Sequence, residues 1–176
     1  AKTYQEILAR EGVTLELRTT AGSVENLKLL DTTSEGVDVA FVQGGLKSLV
    51  PDGNLVSLGS LSFEPLWIFH RTDLSIKRIP DLKKLRIAVG KEGSGTKILT
   101  IQLLELNGIN KENTRFFSYG GQNAADALLN GEIDVCFFVS THQAPYVINL
   151  IDSKLVNLMG LERAEAYAML YHYLYV

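Results

Sequence analysis

The residues Lys91-Glu-Gly-Ser-Gly-Thr96 set a lysine, a carboxylate and two hydroxyls among glycines. They fall between an apolar run typical of a strand, Leu85-Arg-Ile-Ala-Val89, and a helical pattern that begins near Ile98. A helix starting here presents unpaired N–H groups beside the hydroxyls of Ser94 and Thr96, a combination suited to a carboxylate or phosphate. Glycines such as Gly95 let backbone approach a ligand without a Cβ in the way. The same residues suit a plainer role, in which Ser94 or Thr96 caps the first helical turn. The stretch lacks the terminal Gly-Lys-Ser/Thr of a P-loop and the spaced glycines of a dinucleotide fingerprint.

Four other turns have the same character: Thr20-Ala-Gly-Ser23, Gln43-Gly44-Gly45, Tyr119-Gly-Gly-Gln-Asn123 and Ser140-Thr141. Each follows an expected strand, so each belongs at the carboxyl edge of a sheet, where open α/β proteins hold ligands. The candidate ligand-binding set is therefore Thr20, Gly22, Ser23, Gln43, Gly44, Ser94, Gly95, Thr96, Tyr119 and Ser140. Any one of these turns is equally open to a reading as a tight turn with no ligand.

No catalytic, cofactor or metal site is expected. Asp38 and Asp134 could form a carboxylate pair, but each precedes the apolar run of its strand. That places both at the amino edge, as turn and strand-entry residues. His70, His142 and His172 show no metal-ligand spacing with a Cys or carboxylate. There is no Gly-x-Ser-x-Gly elbow, and Ser94 has no evident base. Cys136, the single cysteine, lies within Val135-Cys-Phe-Phe-Val139 and reads as a buried, inert thiol. Trp67 and Tyr119 could wall a pocket, with core packing the default for Trp67.

The elements that position these turns repeat. Thr20-Ala-Gly-Ser-Val-Glu-Asn-Leu-Lys-Leu-Leu30 resembles Tyr119-Gly-Gly-Gln-Asn-Ala-Ala-Asp-Ala-Leu-Leu129. Aligning Gly22 on Gly121 superimposes the paired leucines, and each copy then runs through an Asp into an apolar strand. Residues 2–11 are amphipathic at helical spacing, and 13–19 alternate like a strand. Val24, Leu27, Leu29 and Leu30 are the expected buried face of the next helix, and 37–42 read as a strand buried on both faces. Residues 55–61 and 64–71 are further extended segments, the second tolerating Pro65 near its start. From Ile79 the strand–helix alternation restarts and continues through 98–106, 116–139, 142–151, 155–158 and 163–170. Alternation of this kind indicates right-handed βαβ units. The best boundary is the strand at 64–71, with a lobe on either side.

The bulk numbers exclude several classes. With 46% hydrophobic and 21% charged residues, the 176-residue chain can build an ordinary globular core. A net charge of −3, with scattered Lys and Arg, argues against a nucleic-acid surface. There is no apolar run long enough to span a bilayer and no secretory signal. The chain opens at Ala1 directly into a helical pattern and stops within Tyr171-His-Tyr-Leu-Tyr-Val176, and it reads as a piece of a longer protein.

The segments Thr20-Ala-Gly-Ser-Val-Glu-Asn-Leu, Asp38-Val-Ala-Phe-Val-Gln-Gly-Gly45, Ile79-Pro-Asp-Leu-Lys-Lys-Leu-Arg-Ile-Ala-Val-Gly, Gly93-Ser-Gly-Thr96, Ala127-Leu-Leu-Asn-Gly-Glu-Ile-Asp-Val and Arg163-Ala-Glu-Ala-Tyr-Ala168 together resemble the solute receptors of TRAP transporters of the TAXI type. Their order and spacing across almost the whole chain carry the likeness. It implies an α/β, two-lobe, type II periplasmic-binding-protein-like fold, with mainly parallel sheets flanked by helices. Residues 1–63 would be an incomplete first lobe, 64–72 the crossover strand and hinge, and 73–176 the second lobe. The resemblance further implies an extracytoplasmic, non-enzymatic receptor. It would capture a small organic anion or amino acid between its lobes and deliver it to TRAP-type membrane subunits, with no cofactor. No Arg or Lys must pair with an anion; Arg71 and Lys97 are the nearest candidates. An incomplete lobe would favour dimerisation or strand exchange. The alternatives are a ligand-sensing domain of a regulator and an enzyme on the same scaffold.

Overall fold

The computed structural model describes residues 1–46, 49–50 and 55–171. His172 and the segment beyond Tyr171 lie outside the described residues.

Strand-forming runs rich in Ile, Val and Phe build one five-stranded sheet: β1 (Leu66–Arg71), β2 (Arg86–Ala88), β3 (Arg115–Phe117), β4 (Val135–Val139) and β5 (Val156–Leu158). The spatial order is β3-β2-β4-β1-β5. β2 pairs in parallel with β3 and β4, whereas β1 runs antiparallel between β4 and β5. Four strands therefore point the same way and one returns. Helices cover both faces, which explains why β4 is apolar at every position (Val-Cys-Phe-Phe-Val). On one side α3 (Gly95–Leu106) packs Leu99, Leu103 and Leu104 against Ile68, Ile87, Val135 and Phe137. On the other, α4 (Gln122–Leu129) and α5 (Pro145–Asp152) bring Ala124, Ala125, Leu128, Val147 and Leu150 onto Phe69, Cys136 and Phe138. The small alanines of α4 let that helix lie close to the sheet. The chain ends its described part in α6 (Ala164–Leu170).

The described residues before Glu64 behave differently. They form α1 (Lys2–Arg10) and α2 (Ser23–Asp31), as the periodicity requires, with Leu27 alone of the expected α2 face fully buried. The expected strands at 13–19 and 37–42 do not form, and 55–61 also lacks a ladder. A strand exists only through a neighbour's N–H and C=O groups, and no described segment offers these stretches that neighbour. Side chains hold them instead: Gln5 donates to the Leu15 carbonyl (2.7 Å) and Asn26 to the Phe41 carbonyl (2.8 Å). Val39, Phe41, Val56 and Leu58 are consequently exposed.

Asp134 stands where β4 begins, as expected for a strand-entry residue. Its carboxylate takes Nη2 of Arg86 at 2.6 Å, Nε at 3.0 Å and the Arg86 backbone N–H at 2.8 Å. Burial raises its pKa, but these bonds outweigh that effect and hold it below the usual carboxylate range. The group is a clamp between β2 and β4, remote from the carboxyl edge. Cys136 is fully buried, and burial pushes its thiol far above the ordinary range, so it is no nucleophile.

Candidate functional site

The order β3-β2-β4 makes β2 a switch point: α3 leaves its carboxyl end toward β3, and α4 crosses back on the other face to β4. Open α/β sheets form a crevice at such a point. A cavity of about 180 Å³ lies there, lined by Gly90, Lys91, Ser94, Thr96, Gly120, Gly121, the end of β4 (Phe137 to Val139) and Tyr146. The loops that line it are the turns following β2 and β3. Gly90 closes this geometry: at φ +102° it adopts a backbone that L side chains avoid, and a Cβ would stand 2.9 Å from the Lys97 nitrogen.

Ser94 is the N-cap of α3. Its Oγ accepts from the Lys97 N–H (3.2 Å) and donates to the Lys91 carbonyl (2.7 Å). The capping role is thus real, and one lone pair remains for a ligand. Thr96 differs: its hydroxyl has no protein partner among the described residues, and it lines the cavity. Phe138 and Tyr146 form an aromatic wall with ring centres 5.0 Å apart.

Ser140 is buried and locked: Tyr146 donates to its Oγ (2.8 Å) and Trp67 to its carbonyl (2.9 Å). Trp67 stacks on Phe69 in the core, so it does not wall the cavity. Tyr119 follows β3, accepts from the Gly90 N–H through its carbonyl (3.1 Å) and leans on Phe117. Neither Ser140 nor Tyr119 lines the cavity itself.

The first-repeat turn meets the second at this edge. The Gly93 carbonyl accepts from the Val24 N–H at 3.2 Å, and a Cβ on Gly22 would lie 3.1 Å from that same oxygen. Ser23 Oγ accepts from the Gln43 N–H (3.1 Å), and the Gln43 side chain lies across Gly95, with its Cβ 2.9 Å from where a Gly95 Cβ would stand. Gly22, Ser23, Gln43, Ser94 and Gly95 are therefore brought together. Thr20 is spent on Asn26 (2.6 Å), and Gly44 sits in the exposed turn beyond Gln43.

Both basic candidates are otherwise engaged. Arg71 ends the antiparallel strand, which puts it at the amino edge, paired with Asp73 at 2.6 Å. Lys97 is bound by Glu92 and by Ser118 Oγ (2.9 Å). The cation that sequence reasoning missed is Lys91: it lines the cavity, its Cγ lies against Gly120, and it has no ion-pair partner among the described residues. Tyr146 was missed as well. Proximity to the Gly-Ser-Gly turn could have flagged Lys91, but only the α5 packing reveals Tyr146.

A larger depression of about 450 Å³ opens beside β5, lined by His70, Ile76, Lys77 and residues 158–162. It is a shallow surface feature with none of the turns at the switch point. Among the described residues there is no cluster of His, Cys, Asp or Glu able to hold a metal, and no helix long and apolar enough to cross a membrane.

All of residues 1–176 match the profile of the NMT1-like family. The structure is similar to the periplasmic aliphatic sulphonate binding protein SsuA from Escherichia coli (TM-score 0.61, 18% identity, 90% of this chain and 54% of that one). It is similar to a putative sulfonate ABC transporter protein, the periplasmic sulfonate-binding SsuA of Methylobacillus flagellatus KT (TM-score 0.56, 20% identity, 90% and 47%). An ancestral arginine-binding protein bound to arginine also matches (TM-score 0.53, 18% identity, 90% and 66%). The chain thus has the α/β fold of these binding proteins and spans 47% to 66% of their length.

Proposed function

The chain belongs to the NMT1-like family, and from that premise we propose that it is the ligand-binding part of an extracytoplasmic solute receptor. The observation that carries the reading is the cavity at the β2 switch point, where two glycine-rich turns converge on the unpartnered Thr96 hydroxyl. The lining supplies no carboxylate or imidazole among the described residues, only Lys91 and Tyr146 as titratable groups. That chemistry suits holding a solute better than transforming one.

On this reading residues 1–63 belong to one lobe, 64–72 to the crossover and hinge, and 73–176 to the other lobe. A small organic anion or amino acid sits between them, contacting Ser94 and Thr96 from one side and the Ser23 and Gln43 turns from the other. Contacts made to both lobes only when they are closed shift the open–closed equilibrium. The liganded receptor hands its solute to a membrane transporter. The TAXI-like motif order favours TRAP-type subunits, while the sulfonate-binding neighbour points to an ABC-type partner. The exposed Val39, Phe41 and Leu58 would be covered by further chain or by a second copy.

The test is thermal unfolding of the full-length, unliganded protein against amino acids, small carboxylates and sulfonates. A saturable rise in midpoint with one compound supports the receptor reading, because a ligand that binds only the native state stabilises it. No shift with any of them counts against it and favours a regulator or an enzyme with another substrate.

A further inference from the structure

We infer that Lys91 is the residue by which this cavity selects a negatively charged head group, with the aromatic pair Phe138–Tyr146 receiving an apolar tail. The inference rests on the receptor reading above and names the ligand class for the same cavity. Its basis is an inventory of charge. Near the carboxyl edge, Lys97 is neutralised by Glu92 and tied to Ser118. Glu92 Oε1 accepts from both Lys97 Nζ and Ser118 Oγ, and among the described residues the glutamate makes no ion pair with Lys91. Arg86 and Arg71 are consumed by Asp134 and Asp73 at the opposite edge. Of these cations, Lys91 lines the cavity and its side chain has no ion-pair partner among the described residues.

Its stem is positioned for the task. The Lys91 Cγ lies 3.1 Å from where a Gly120 Cβ would be, so the lysine stem runs close against the Gly120 turn at the cavity rim. Two methylenes and the ammonium continue beyond that contact. An anion at the mouth would meet the ammonium and the free Thr96 hydroxyl together, a charge-assisted arrangement stronger than neutral hydrogen bonding. The opposite wall is aromatic and carries no charge, so it accepts an aliphatic chain and rejects a second ionic group. The cavity of about 180 Å³ limits that chain to a few carbons. The class is a small aliphatic monoanion, carboxylate or sulfonate.

The experiment uses the full-length protein and four probes with matched tails: pentanoate, butane-1-sulfonate, butylammonium and pentan-1-ol. Calorimetry and thermal unfolding are read for wild type, Lys91→Gln, Lys91→Arg and Thr96→Val. The expected result is that the two anions bind at least tenfold tighter than the amine and the alcohol. Lys91→Gln should remove that preference, Lys91→Arg should keep it, and neither should move the unliganded midpoint, since the Lys91 side chain has no hydrogen-bond or ion-pair partner among the described residues and its backbone carbonyl, which Ser94 uses, is unchanged. Lys91→Gln with unchanged anion affinity, beside a Thr96→Val that binds weakly, overturns the role of Lys91 and leaves the receptor reading standing. If none of the probes binds wild type, the ligand class falls. If the amino acids and other acids of the wider set also fail, the receptor reading falls with it.

Discussion

Ser94 and Thr96 are two residues apart on the same helix start, yet they should respond oppositely to loss of their hydroxyls. Ser94 Oγ accepts from the Lys97 N–H at 3.2 Å and donates to the Lys91 carbonyl at 2.7 Å. Replacing an N-cap serine with alanine costs about 1 kcal/mol. For a chain of this size, that corresponds to a fall of roughly 2–4 °C in unfolding midpoint. Thr96 has no protein partner among the described residues, so Thr96→Val, which keeps its shape, should change the unliganded stability by less than about 0.5 kcal/mol. Its effect should appear in binding instead: loss of one hydrogen bond to the solute, about 1 kcal/mol, weakens affinity roughly fivefold. The assay is differential scanning calorimetry without ligand, followed by titration with whichever compound stabilises the wild type. Equal falls in midpoint for the two variants, with affinity unchanged in Thr96→Val, would rule out a ligand-binding role for the Thr96 hydroxyl. The threonine would then be structural and the turn merely a cap.

Gly95→Ala places a Cβ against the Gln43 side chain, whose own Cβ is 2.9 Å away. It should therefore push the first-repeat turn off α3, costing about 1–3 kcal/mol. Gln43→Gly should restore most of that loss in a double-mutant cycle, and additive effects would show that the two do not meet. Asp134 is held below its usual pKa, so it contributes stability above the unfolded value near 3.9 that is lost as pH falls through the lower folded value. Acid unfolding of Asp134→Asn should accordingly start from a less stable protein and show a flatter dependence below about pH 4; an unchanged acid limb would exclude the clamp. Thr100 carries a buried hydroxyl with no partner among the described residues. Thr100→Val should raise stability by about 1 kcal/mol, and a fall in midpoint would mean the hydroxyl is satisfied in solution.

The part of the fold legible in the sequence is the part in which local pattern and tertiary need agree. The apolar run at 135–139, the alanine-rich helix before it and the Gly-Ser-Gly turn all stand where their spacing predicts. The amino-edge assignment of Asp134 follows from its place ahead of that run, and the ion pair with Arg86 bears it out. The strands expected at 13–19 and 37–42 failed for a reason that sequence pattern does not contain. Alternation and apolar runs report which face can be buried, but a ladder also requires a neighbour. Arg71 was misplaced for a related reason: a strand's residue types do not reveal that it runs antiparallel, and reversal moves its last residue to the opposite edge. Tyr146 could be found only through the packing of α5 on Phe138. In the sequence, Glu92 could pair with either Lys91 or Lys97, and only the fold shows that Lys97 takes it and leaves the Lys91 side chain without an ion-pair partner among the described residues.

Where the solute sits can be read by amide chemical-shift mapping of the full-length protein, titrated with the compound that stabilises it. The largest shifts are expected at Gly90, Ser94, Thr96 and Gly121, with smaller ones at Ser23 and Gln43. Shifts gathered instead around His70 and residues 158–162, with the Gly90 to Thr96 turn unmoved, would contradict that placement.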